Sequence, residues 1–203
     1  FEKSDRLGGK VIAGSIPAVK FDFANYLKWL TDETLRAEKE RDTLRIRLNT
    51  EAVPETLKAE GFDAVVFAVG THNAAPKFPG SDKIRIVQAV DLLCRPELLQ
   101  GARRVTVIGG GVVGCETAYW LAWEHNCNVT IVEMLPNLMD GACTANRGHL
   151  LHYLEQKSVK VYNLAKVSGF DSGKVLVTAC TAPNKPNPYN TWQPILPKNI
   201  ENP

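Results

Sequence analysis

Three glycines stand at a spacing that suits a phosphate. Gly109, Gly111 and Gly114 fall in the order G-x-G-x-x-G, within the run Gly109-Gly110-Gly111-Val112-Val113-Gly114. In such a run the first glycine permits a tight turn, and the second lets the backbone approach a pyrophosphate. The third lets a helix pack closely on its strand, with the helix N-terminus facing the phosphates. Glu133 follows Gly114 by nineteen positions, close to the roughly 20 at which a carboxylate meets the adenosine ribose hydroxyls. A 2′-phosphate would fall where that carboxylate stands, and the two negative charges repel unless an Arg or Lys intervenes. Met134, Leu135, Pro136 and Asn137 carry no positive charge. NAD is therefore expected, with NADH preferred over NADPH; Arg147 is a distant candidate for the contrary.

The spacing of glycines alone is weak, so the flanking elements decide. Val105-Thr106-Val107-Ile108 reads as a buried strand entering the turn, and a helix is expected over 112–125. A strand over Asn128–Glu133, a helix over 145–157 and short strands near 159–162, 164–170 and 174–180 follow. Alternating strand and helix predicts an α/β fold with a mostly parallel sheet, the last strands forming an antiparallel appendage. Upstream, Phe23, Leu27, Leu30, Thr34 and Ala37 recur at helical spacing and predict an amphipathic helix over 22–41. Leu44–Leu48 alternates like a half-buried strand, and Pro54 opens a short helix. Phe62-Asp63-Ala64-Val65-Val66-Phe67-Ala68-Val69-Gly70 is an apolar run closed by glycine, as expected of a parallel strand covered on both faces. Another short helix is expected near 88–95.

Glu2 to Gly9 repeats the nucleotide logic from its other end. An acidic residue at a strand's end, followed by Gly8-Gly9, is what lies beyond the first glycine turn of a second dinucleotide fold. The chain thus begins inside the second strand, and roughly 30 residues of that βαβ unit are expected upstream of Phe1. The strand ending Ala68-Val69-Gly70-Thr71 would complete the same sheet.

Glu2-Lys3, Leu7-Gly8-Gly9, Val65–Thr71, Pro79-Gly80 and Gly109–Ala118 together resemble the flavoproteins built from two dinucleotide-binding domains. Val132-Glu133-Met134-Leu135, followed by Ala145-Asn146-Arg147-Gly148, looks most like the C-terminal half of NADH:flavin oxidoreductases. Those are the relatives of 2,4-dienoyl-CoA reductase, 2-enoate reductase and trimethylamine dehydrogenase. The resemblance implies a Rossmann-like NAD(P)-binding domain, from about 99 to 203, inserted into a partial FAD-binding α/β domain over 1–98. The whole would be three-layered with a mostly parallel sheet. It implies FAD as a second cofactor, with Glu2 on the adenosine ribose, Lys3, Gly8 and Gly9 lining the flavin nucleotide, and Ala68, Val69, Gly70 and Thr71 passing beside it. Glu116 matches a position that faces the nicotinamide in several relatives; as a plain helix-start residue it would favour the dipole. In the parent protein the resemblance implies an N-terminal TIM-barrel domain carrying FMN, an iron–sulfur cluster, and reduction of an unsaturated substrate there. Neither a first FAD glycine motif, a cluster-binding cysteine array, nor a Gly-Asp segment returning to FAD occurs in these 203 residues. A fragment of a longer protein is therefore expected. Two other readings stay open: a structural domain that holds an ADP-like nucleotide without turnover, and a two-domain NAD(P)H dehydrogenase without a barrel.

Composition excludes other classes. Net charge is +2, from 24 Lys and Arg against 22 Asp and Glu, which argues neither for nucleic acid nor for a membrane surface, and no such partner is expected. Five cysteines, at 94, 115, 127, 143 and 180, contain no C-x-x-C pair. Reduced thiols in a cytoplasmic protein are expected, rather than a disulfide framework, a zinc site or a dithiol reductase. His149 and His152 lack further ligands for a metal, and His72 and His125 stand apart. Trp29, Trp120 and Trp123 are expected in packing. Asp91 and Asp140 read as loop or cap residues. Beyond Cys180 the chain turns proline-rich, with six of its twelve prolines between Pro183 and Pro203.

Overall fold

The computed structural model describes residues 1–181; the proline-rich tail expected after Cys180 lies almost wholly outside them. The chain divides into two compact units, the first from Phe1 to Ala74 and the second from Ala75 onward. Among the described residues no helix is long and apolar enough to cross a membrane.

The second unit is built on a parallel sheet of three strands in the order β1 (Arg104–Ile108), β2 (Asn128–Val132), β3 (Lys160–Tyr162). Val105 lies opposite Val129, Ile108 opposite Val132, and Val132 opposite Tyr162. Helix α5 (Val112–Trp123) connects β1 to β2, and α6 (Thr144–Gln156) connects β2 to β3. Right-handed crossovers between sequential parallel strands place both helices on one face, and α5 and α6 do touch. The Trp123 indole N–H donates to the Tyr153 carbonyl at 3.1 Å, and Tyr119 stacks on Trp123 with centroids 5.9 Å apart. Cys115, Ala118, Trp120, Leu121 and Ala122 are buried, because α5 is sandwiched and apolar nearly all round. β2 is the central strand, so Val129, Ile131 and Val132 are all buried.

A second hydrophobic cluster joins Val132 to the antiparallel hairpin of β4 (Ala165–Asp171) and β5 (Lys174–Ala179). Phe78 meets Phe170 edge to face at 5.8 Å, and the Phe170 N–H donates to the Pro79 carbonyl at 2.8 Å. Gly80 has φ +78°, and a Cβ there would come 2.1 Å from the Phe170 carbonyl oxygen, so only glycine allows this approach. Helix α4 (Ala89–Cys94) also belongs to this unit.

The first unit departs from expectation. Helices α1 (Lys10–Gly14), α2 (Phe21–Glu40) and α3 (Pro54–Ala59) form, but neither 44–48 nor 62–70 is a strand. Segment 62–70 lies outside any sheet and is exposed: Val66 to 90 %, Phe67 to 80 % and Val69 to 86 %. The physical reason is pairing. A parallel strand needs hydrogen-bonded neighbours on its edges and cover on its faces, and the described residues of this unit contain no strand at all. The apolar stripe of α2 is only partly covered, with Phe23 and Leu30 exposed and Leu27 half-buried, and Trp29, expected in packing, is exposed with its ring 6.0 Å from that of Tyr26. What remains of a ladder is local: the Glu2 N–H donates to the Arg47 carbonyl, and Asn49 and Thr50 donate to the carbonyls of Ser4 and Glu2, at 2.8 to 2.9 Å.

Candidate dinucleotide site

The glycine turn sits where β1 passes into α5. Gly109 takes φ +98°, and its N–H extends the sheet by donating to the Val132 carbonyl at 2.8 Å. A Cβ on Gly114 would lie 1.9 Å from the Gly109 carbonyl oxygen, so its absence is what lets α5 approach the strand end. A Cβ on Gly111 would meet nothing within 4 Å. The side of the turn left open at Gly111 is therefore available to a ligand, and no side chain caps α5 there. N–H groups of a first turn without an acceptor suit an anion. Val112 and Val113 flank this opening and are exposed. The residues present fit a pyrophosphate.

Gly110 is held from every side. Its N–H donates to Glu133 Oε2 at 2.5 Å. Its carbonyl accepts the Met139 N–H at 2.7 Å and the Cys115 thiol at 3.3 Å. A Cβ at 110 would come 2.2 Å from Leu138 Cδ2 and 3.0 Å from Glu133 Cβ. Glu133, buried to all but 8 %, also accepts the Leu135 N–H at Oε1, 2.7 Å away. Its carboxylate is thus fixed by two backbone donors at the C-terminal edge of β2, beside the turn. Each of its oxygens retains acceptor capacity for a ribose hydroxyl. Burial pushes the Cys115 thiol up to about 12, helped by the negative charges of Glu133 and Glu116, so it stays protonated at neutral pH and keeps the hydrogen it donates to the Gly110 carbonyl. Glu116 is half-buried in the first turns of α5.

The loop after Glu133 closes over the turn. Asn163 donates to the Pro136 carbonyl at 2.7 Å, the Leu164 N–H to the Leu135 carbonyl at 3.2 Å, and Arg147 Nε to the Leu138 carbonyl at 2.9 Å. Leu138, Met139 and Cys115 belong to the site, yet sequence reasoning passes over them. Only the proximity of Leu138 and Met139 to Glu133 in sequence hints at it.

In the first unit, Glu2 repeats the local geometry of Glu133. Its carboxylate accepts the N–H of the residue two positions on, Ser4, at 2.7 Å, and the Ser4 hydroxyl as well; the backbone donor holds its pKa below the usual range. Gly8 has φ +120°, where a Cβ would come 2.7 Å from Leu27 Cδ1. Lys10, next to Gly9, reaches Thr71 Oγ1 at 2.7 Å and Asn73 Oδ1 at 3.2 Å. The Gly8-Gly9 turn and the Thr71 end of Ala68–Thr71 are thereby brought together, while Ala68, Val69 and Gly70 remain exposed. Lys3 turns to Glu51 in an exposed ion pair at 3.1 Å.

Other singled-out residues have structural places. Trp120 is buried and its ring lies 4.0 Å from that of His125. His152 meets Gln156 at 2.9 Å. Among the described residues no three His, Cys, Asp or Glu converge as a metal site would require. Asp91 pairs with Arg95 at 3.5 Å.

Comparison with known proteins gives the family. The family model for pyridine nucleotide-disulphide oxidoreductases matches residues 8–187. A bilirubin reductase of Mediterraneibacter gnavus (strain CC55_001C) is 34% identical over 175 residues, 86% of this chain and 26% of that protein. An NADH oxidase of Thermoanaerobacter brockii is 37% identical over 140 residues, 68% of this chain and 21% of that protein. Among solved structures, 2-naphthoyl-CoA reductase in complex with 2-naphthoyl-CoA superposes with a TM-score of 0.72 at 25% identity, over 88% of this chain and 26% of that one. The chain spans about a quarter of the length of the curated relatives it matches.

Proposed function

Because this chain belongs to the pyridine nucleotide-disulphide oxidoreductase family, we propose that it is the electron-entry module of a flavin-dependent oxidoreductase. It binds NADH in the second unit and passes hydride to FAD, for reduction of an unsaturated substrate elsewhere in the parent protein. The observation that carries this reading is Glu133, fixed by Gly110 and Leu135 beside a turn whose Gly111 side is open. Dinucleotide binding needs both parts: donors for the pyrophosphate and an acceptor for the ribose diol.

The nicotinamide supplies the hydride when bound; the chain's own residues bind, orient and discriminate. The helix α5 N-terminus and the Gly111 backbone receive the pyrophosphate, Val112 and Val113 flank it, and Glu116 lies toward the nicotinamide end. Glu133 favours NADH, because its charge repels a 2′-phosphate. In the first unit, Glu2, Lys3, Gly8, Gly9 and Ala68–Thr71 are the residues offered to FAD, with Lys10 joining two of those segments. An N-terminal barrel carrying FMN and an iron–sulfur cluster in the parent protein is part of the same reading; it rests on the sequence resemblance, and the relatives' length, of which this chain covers about a quarter, leaves room for it.

Calorimetry of the full chain tests it. NADH should bind more tightly than NADPH or ADP. Absence of binding by either nicotinamide nucleotide would refute the reading, and equal affinity for ADP and NADH would return the structural nucleotide domain.

A further inference from the structure

Arg147 is a cation in an unusual place. It begins the inward stripe of α6 that continues through Leu150 and Leu154, and it is only 9 % exposed. A buried guanidinium costs stability unless its donors are used. Among the described residues it forms no ion pair, and its hydrogen bond is the one from Nε to the Leu138 carbonyl at 2.9 Å. That carbonyl lies on the loop closing over the glycine turn. Leu138 fills the space that a Cβ at 110 would need, and the next residue, Met139, donates to the Gly110 carbonyl at 2.7 Å. Gly110 in turn donates to Glu133. One chain of contacts therefore runs from Arg147 through Leu138, Met139 and Gly110 to the carboxylate. The charges of Glu133, Glu116 and Arg147 all reach the Cys115 thiol, which places the four groups in one neighbourhood.

We propose that Arg147 is a positioning residue for cofactor discrimination: it holds the Leu138–Met139 loop on Gly110 and so keeps the Glu133 carboxylate where it accepts the ribose of NADH. The inference rests on the NADH reading above. It assigns Arg147 a role opposite to that of a 2′-phosphate ligand, because its Nε is engaged by the protein's own Leu138 carbonyl. Removing it loosens Glu133, and the penalty falls on NADH rather than on NADPH.

The test is the ratio of dissociation constants for NADH and NADPH, measured by calorimetry on the full chain. Arg147→Met should erode the NADH preference about tenfold, the size expected from one lost charge-assisted hydrogen bond, through weaker NADH binding. Arg147→Lys, whose ammonium can still donate to the Leu138 carbonyl, should recover much of it. Leu138→Ala uncovers Gly110 without touching the guanidinium and should raise the ratio of the NADH to the NADPH dissociation constant as Arg147→Met does; it carries the test should the methionine variant not fold. A selective loss of NADPH binding in Arg147→Met would make Arg147 a phosphate ligand and overturn the proposal. An unchanged ratio with a lower melting temperature would overturn it too, leaving Arg147 a packing residue. If the unaltered chain binds neither nucleotide, the NADH reading falls and this inference with it; binding with an unchanged ratio sinks this inference alone.

Discussion

The Glu133 carboxylate and the Gly110 amide are joined by a hydrogen bond of 2.5 Å across 23 positions of sequence. This bond makes the acidic residue part of the glycine turn. A carboxylate held by backbone donors is preorganised, so a ribose meets it without the entropy cost of ordering a long side chain.

Glu133→Ala should therefore damage both fold and binding. It leaves the buried Gly110 N–H without its acceptor, a cost of about 1–3 kcal/mol, and removes the acceptor proposed for the ribose. Glu133→Gln can still accept through its amide oxygen and should stay closer to the unaltered stability while losing the discrimination against NADPH. Thermal melts with nucleotide titrations separate the two. Equal melting temperatures for Ala and the unaltered chain would show that the bond contributes nothing.

Gly111 and Gly114 should respond differently to the same change. Alanine at 114 drives a Cβ into the Gly109 carbonyl, a backbone atom that cannot step aside, and overpacking of this kind costs about 1–3 kcal/mol. A melting temperature lower by several degrees is expected. At 111, φ is −69° and a Cβ meets nothing, so alanine should leave the melt unaltered and weaken NADH binding. A Gly111→Ala variant that binds NADH normally would remove the pyrophosphate from this side of the turn.

Cys115 predicts an alkaline dependence. Its thiol is raised from 9.0 to about 12 in the fold, so the folded state binds the proton more tightly than the unfolded chain. The stabilising contribution is complete below about pH 9 and is lost as pH rises toward 12. Denaturant midpoints at pH 8 and pH 10.5 should fall more for the unaltered chain than for Cys115→Ala. Thiol labelling at pH 8 should reach the exposed Cys94 and Cys143 and spare Cys115 until the chain unfolds.

Hydrogen exchange should divide the chain. Amides of β2, central in its sheet with Val129 and Ile131 buried, should be among the slowest. Amides of 62–70, which are exposed and belong to no sheet, should exchange near the rate of an open chain. Strong protection there would mean that this segment is a paired strand after all.

The sequence by itself determined the second unit in outline. The β1–α5–β2–α6–β3 order, the role of Gly114 and the alignment of Glu133 with the turn all follow from short-range patterns: strand and helix periodicity, and glycines whose spacing is set by the turn's geometry. It also singled out Glu2 and the Gly8-Gly9 turn, where the structure shows Glu2 engaging the N–H two residues on as Glu133 does. Tertiary structure decided the rest, because the deciding contacts join residues distant along the chain. Leu138 over Gly110, Met139 on the Gly110 carbonyl and Arg147 beneath Leu138 depend on how a loop folds back, which no periodicity encodes. The same dependence explains the misread strands. Phe62–Gly70 has the composition of a buried parallel strand, but a strand exists only where neighbours satisfy its backbone, and the described residues of the first unit contain no strand to pair with it.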